Sequence, residues 1–97
     1  MDEVSITRHG DDRRGEYHAH VAGAKAIGRL TWKERGGVRV ADHTLVPKEI
    51  GGRGVALKLV EALVADARQQ GFRIEPACSY VAAQFDRHPD WADLRAR

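Results

Sequence analysis

The sequence predicts an α+β fold, a mostly antiparallel sheet with elements in the order β-β-β-β-α-β-α. Three observations predict it. From Val4 to Val46, short runs of alternating apolar and polar residues are separated by Gly- and Asp-containing turns. From Gly54 to Gln70 the apolar period lengthens from two residues to that of an amphipathic helix. A short apolar run and a second helical pattern then complete the chain.

The elements follow in order. "VSITRHG" (Val4 to Gly10) alternates and ends at Gly-Asp-Asp, a strand leading into the hairpin loop "GDDRRG". In "EYHAHVAG" (Glu16 to Gly23), Tyr17, Ala19 and Val21 share one strand face and His18 and His20 the other. A turn at Gly23 to Lys25 leads to "AIGRLTWKERGG", a third strand through Ile27, Leu30 and Trp32, with an irregularity expected near Gly28. Gly36-Gly37 marks the next turn, and "VRVADHTLV" (Val38 to Val46) has the β-branched content of a fourth strand. The helix follows, with Ala56, Leu59, Val60, Leu63 and Ala67 on one stripe and Lys58, Glu61, Arg68 and Gln69 mostly away from it. Gly71 suits the position just past its end. Phe72 to Val81 reads as a fifth strand, in which Pro76 marks an edge or a splay point. "SYVAAQFDRH" is a second helix that stops before Pro89, and "DWADLRAR" a last helical turn or tail, with Trp91 packing it onto the body.

Composition sets limits. Ninety-seven residues make one domain, 1–97, with a single modest core. At 42% hydrophobic and 31% charged, the chain has the balance of an ordinary soluble globular protein. A net charge of +2, from 16 Lys/Arg spread among 14 Asp/Glu, argues against nucleic acid as a partner. No run approaches the ~18 apolar residues of a membrane span, and "MDEVSITRHG" is too acidic and polar for a signal peptide. No membrane partner is expected. The single cysteine, Cys78, excludes an intrachain disulfide framework and points to the cytoplasm.

One stretch stands apart. "PKEIGGRGVALKLVEAL" (Pro47 to Leu63) puts Gly51, Gly52 and Gly54 just ahead of the best helix. A helix start exposes backbone N–H groups and a partial positive charge, and glycines there let an anion approach. Arg53 adds a fixed charge. No Gly-Lys-Ser/Thr ends the loop, so it is not a Walker A loop, and no β-α-β unit makes it a dinucleotide fingerprint. A plain strand-to-helix turn is the bland alternative.

"GGRGVA" resembles the acetyl-CoA pyrophosphate loop of the GNAT N-acetyltransferase superfamily, Arg/Gln-x-x-Gly-x-Gly/Ala after strand four. Gly54 and Ala56 match its last two positions, and Gly51 stands where the superfamily usually has Arg or Gln. With "DHTLVP" (Asp42 to Pro47) before it and "ACSYVAAQFDRHPDWADL" (Ala77 to Leu94) after it, the chain is similar to the short single-domain GNAT-like branch from about Ala41 to Leu94.

The resemblance implies a GNAT-like acyl-CoA N-acyltransferase core and acetyl-CoA as co-substrate. Strands four and five would splay near Val46 and Pro76, with Leu45 and Val46 holding the acetyl-pantetheine. Gly51, Gly52, Arg53, Gly54, Val55 and Ala56 would hold the pyrophosphate. Cys78 would lie at the end of strand five, facing the thioester, either as a nucleophile or as a small packed side chain. His43 is the candidate to lower its pKa or to act as general base, with a cross-sheet hydrogen bond as the other reading. Glu49 is a second base candidate, Tyr80 a proton donor to the leaving thiolate, and Lys58 a phosphate contact. Each of these three has an equally plain surface or packing reading. Arg13 and Arg14 read as a solvated loop. His18 and His20 with His9 form too sparse a pattern for a metal, and none is assigned.

The expected function is transfer of acetyl from acetyl-CoA to an amine on a small molecule, peptide or protein, via or beside Cys78. The alternatives are a non-catalytic acyl-CoA-binding or regulatory module, and an interaction module whose tryptophans mark a partner surface. An exposed sheet edge would favour a homodimer.

Overall fold

The computed structural model describes residues 3–96. Met1, Asp2 and the last residue of the expected tail, Arg97, lie outside the described residues.

Alternation builds the first half. β1 (Val4–Gly10) and β2 (Arg14–Val21) form a hairpin whose turn is held by Asp11, its Oδ1 accepting from the N–H groups of Arg13 (2.8 Å) and Arg14 (3.2 Å). β3 (Ile27–Arg35) and β4 (Val38–Leu45) continue the antiparallel meander, joined through Gly36-Gly37, both at positive φ. α1 (Val55–Gln70) then crosses over the sheet. β5 (Arg73–Pro76) returns parallel to β4, giving the order β1-β2-β3-β4-β5. α2 (Ser79–Arg87) and a 3-10 turn over Pro89–Leu94 follow.

The core lies between α1 and one sheet face. Leu59, Val60, Leu63 and Ala67 are buried against Tyr17, Ala19, Val21 and Leu30, as the two periodicities predict. Phe85 and Trp91 meet edge to face at 5.5 Å and close one end, so Trp91 packs the tail as expected. No helix among the described residues is long and apolar enough to cross a membrane.

Three expectations need correction. β5 spans only Arg73–Pro76, not Phe72 to Val81: past Pro76 the Cys78 N–H bonds the Ala41 carbonyl at 2.9 Å and the chain turns into α2. The irregularity of the third strand is not at Gly28, which stays in register opposite Ala19, where an added Cβ would come 3.0 Å from Val55. It lies at Thr31/Trp32: Thr31 pairs with His43 and Trp32 with Ala41, leaving Asp42 as the extra residue of a β-bulge in β4. Ala56, expected on the buried stripe, is only half-buried, and Asp66 is buried in its place.

Asp66 is 5% exposed in a helix otherwise packed with aliphatic groups. It accepts two bonds from the Arg8 guanidinium (2.8 and 2.9 Å) and one from the Tyr17 hydroxyl (2.7 Å). Burial pushes its carboxyl up, but the bonds from Arg8 and Tyr17 outweigh it and hold the group below its ordinary value. The Tyr17 phenol is raised by burial and by the same carboxylate. Arg39 completes the cluster, donating to Tyr17 at 2.9 Å while stacked between the Trp32 and Phe72 rings.

Candidate active site

Sequence and backbone geometry agree at the glycine loop. A 3-10 turn over Lys48–Ile50 buries Ile50 and ends with the Gly51 N–H on the Lys48 carbonyl at 3.1 Å. Gly52 (φ 73°) and Gly54 (φ 72°) are left-handed, a conformation that costs a side-chain-bearing residue roughly 1–2 kcal/mol. A Cβ on either would meet nothing within 4 Å, so space inside the protein is not what selects glycine. Backbone conformation is, and the outer side of the loop stays open. Gly51, Gly52, Arg53 and Gly54 are all exposed, while Val55 is buried and anchors the helix.

Gly54 is the N-cap of α1 and caps it with no side chain. The Lys58 N–H bonds the Gly54 carbonyl at 3.1 Å, so the N–H groups of the turn before it have no intrahelical partner. That turn contains no acidic residue to neutralise the helix dipole. Its positive end therefore lies beside a loop whose only side chain is that of Arg53, a geometry suited to a phosphate.

The second feature is a gap in the β4–β5 ladder. β5 pairs with β4 only as far as Ala41 and Pro76, after which β4 runs on through Asp42–Leu45 without it. The strands part there, earlier than the Val46 expected. Leu45 is 64% exposed, the one large hydrophobic side chain so exposed among the described residues, and Val46 packs against the core.

Cys78 stands where the strands part, as the N-cap of α2, half-buried. Its Sγ donates to Thr44 Oγ1 at 3.5 Å. Burial pushes the thiol up. Its hydrogen bonding to Thr44 and to the backbone of Val81 and Tyr80 at the start of α2 outweighs burial and draws it below its ordinary value.

Comparison with known proteins adds to this geometry. The family model described as GCN5-related N-acetyl-transferase matches residues 16–94. The chain belongs to that family. The solution structure of a GCN5-like putative N-acetyltransferase from Staphylococcus aureus superposes with a TM-score of 0.72 at 25% identity, covering 99% of this chain and 91% of that one. No curated protein matched the sequence.

This GNAT chain brings some of the expected residues together and separates others. The partner of Cys78 is Thr44, not His43. Thr44 pairs with the buried Leu30, on the sheet face toward α1. His43 pairs with Thr31 and is exposed on the outer face, where it lines a groove of about 610 Å³ with Asp42, Thr31, Glu16, His18 and His9. Asp42 is tied there by the Thr31 hydroxyl at 2.5 Å. Glu49 and Lys58 are exposed; Arg13 lies in the hairpin loop as expected, but Arg14, expected there too, is the exposed first residue of β2, paired with Lys33; and Tyr80 is half-buried on α2. Burial raises the Tyr80 phenol, which stays protonated at neutral pH.

Sequence reasoning missed Thr44 and Asp66. For Asp66 the signal was available: it sits three residues past Leu63, on the stripe that the period of the helix buries. For Thr44 there was none, because its facing depends on the bulge at Asp42.

Proposed function

We propose that this protein binds acetyl-CoA and transfers its acetyl group to an amine, with Cys78 as the acyl carrier. The observation that carries this reading is the gap between β4 and β5, with the depressed thiol of Cys78 at its base. The N–H groups of Gly51, Gly52, Gly54, Val55 and Ala56, with Arg53, would receive the pyrophosphate. The exposed Leu45 and the backbone around Val46 would line the pantetheine.

Cys78, its thiol proton released to solvent water, would attack the thioester carbonyl as the thiolate; the carbon–sulfur bond to CoA would break, and the departing CoA thiolate would take a proton from water, or from Tyr80, which would regain one from water. An amine would then attack the new thioester, displacing the Cys78 thiolate and losing its proton to a base. His43 is the base candidate: the bulge puts it beside the gap on the outer face, where an acceptor in the 610 Å³ groove would lie. The acceptor would be an amine on a small molecule, peptide or protein. The unpaired edge of β1 is the surface on which a second copy would add, which sedimentation at high concentration reads directly.

The test is calorimetric titration with acetyl-CoA followed by intact mass. Binding together with a gain of one acetyl group, absent in Cys78→Ser, supports the carrier role. Binding with turnover but no such adduct means direct transfer to the amine. Binding without either leaves an acyl-CoA-binding module, and no binding refutes the reading.

A further inference from the structure

We infer that the outer sheet face carries a metal site made by His9, His18 and His20, suited to zinc or a neighbouring late first-row divalent cation. The sequence offers only an i,i+2 pair on one strand. Pairing of β1 with β2 adds the third imidazole: Thr7 lies opposite His18 and His9 opposite Glu16, so His9 reaches His18 on the diagonal. The His9 and His18 rings are 4.0 Å apart between centroids. One ring nitrogen from each of the three histidines lies within 4.8 Å of the others.

Around tetrahedral zinc, with bonds of 2.0–2.1 Å, ligand nitrogens stand roughly 3.4 Å apart. The remaining approach is about the length of one bond, shared by three side chains. His9 is exposed and the other two half-buried, so rotation about their side-chain bonds meets no packed core.

Two neighbours favour a cation. Thr7 Oγ1 lies 2.8 Å from both His9 Nε2 and His20 Nε2, so a single oxygen already draws the two rings to one point. Glu16 Oε1 lies 2.8 Å from His18 Nε2. A carboxylate accepting from that nitrogen fixes the tautomer and leaves the Nδ1 lone pair for a metal, the carboxylate–histidine arrangement of many zinc sites. Three imidazoles suit zinc, copper or nickel better than magnesium or calcium, which take oxygen ligands. Three protein ligands also leave a fourth position open. The metal would staple the edge strand β1 to β2, and two of its ligands, His9 and His18, line the groove that His43 also lines. This inference does not depend on the transferase reading.

The experiment is calorimetry of the metal-stripped protein with zinc chloride, beside magnesium chloride as control. One zinc per chain at micromolar affinity or tighter is expected, with no magnesium binding. Zinc affinity should fall about tenfold or more in His18→Asn and in His20→Asn, and stay unchanged in Cys78→Ser, which removes the competing thiol. Amide spectra of the wild-type protein titrated with substoichiometric copper(II) give a readout free of any folding defect in the variants. Broadening should begin at Thr7, His9, His18 and His20. No saturable zinc binding, binding that survives both histidine substitutions, binding lost with Cys78, or broadening centred elsewhere would each overturn the site.

Discussion

Gly54→Glu tests the loop by setting stability against affinity. At φ 72° the new side chain carries the left-handed cost of roughly 1–2 kcal/mol, while its Cβ meets nothing within 4 Å. Its carboxylate, at the N-terminus of α1, regains about 0.3–1 kcal/mol from the helix dipole. The net loss of stability is therefore between about 0 and 1.7 kcal/mol, and the fold survives. Affinity moves much further. A carboxylate ~4 Å from a phosphate charge is repelled by about 1 kcal/mol with full water screening and about 4 at the dielectric of a protein surface. On an exposed loop the lower half of that range applies, and CoA binding should weaken about fivefold or more. Gly71→Glu is the matched control. Gly71 has φ 82° and the same open space around its Cβ, at the other end of the same helix, about 25 Å away. There the carboxylate meets the negative end of the dipole, so this variant should be the less stable of the two yet bind CoA as the wild type does. Calorimetric titration gives the affinities and chemical denaturation the stabilities. A folded Gly54→Glu protein with wild-type CoA affinity would sink the phosphate assignment, as would an equal loss in Gly71→Glu.

Two further substitutions probe the scaffold under the site. Asp66→Ala leaves the buried Tyr17 O–H without its acceptor, although its oxygen still accepts from Arg39, and the half-exposed Arg8 turns to water, so the loss at pH 7 should be about 1–3 kcal/mol. Because the folded carboxyl is held below its ordinary 3.8, its contribution is complete above that pH and fades as the pH falls further; denaturation at pH 7 and pH 3 should show the wild-type advantage shrinking in acid. Arg39→Lys loses the planar stacking between Trp32 and Phe72 while keeping the charge, and should cost about 1–2 kcal/mol. A stability within error of wild type would show that the guanidinium plane adds nothing there.

Much of the fold was legible because burial follows local period. Tyr17, Ala19 and Val21 alternate into the core, Leu59, Val60, Leu63 and Ala67 recur on a helical stripe, and Gly71 ends that helix at positive φ. The loop was legible for a related reason: glycines ahead of a helix start are a backbone requirement, which sequence displays directly. The length of β5 was not, because what ends it is a bond from Cys78 to Ala41 on a strand far away in sequence. The histidine cluster was half legible. The i,i+2 pair is in the sequence, but the third ring arrives only through the register of β1 on β2.

The facing of β4 shows why one inserted residue matters more than any single side chain. Simple alternation from Ala41, opposite Trp32 on the α1 side, would turn Asp42 outward, His43 inward opposite Leu30, and Thr44 outward. His43 would then face Cys78, as a strand read by period two suggests. The bulge makes Asp42 an extra residue, so that His43 pairs with Thr31 and Thr44 with Leu30. A shift of one residue exchanges the faces of everything beyond it. The hydroxyl of Thr44 thereby becomes the neighbour of the Cys78 thiol, and the imidazole moves to the outer groove. A nucleophile and a base on opposite sides of one strand do not suit an ion pair made before substrate arrives. On the proposed carrier reading, the acyl group would be loaded from the gap and the amine would approach from the groove. On that reading Thr44 would lower the thiol, and His43 would serve the acceptor.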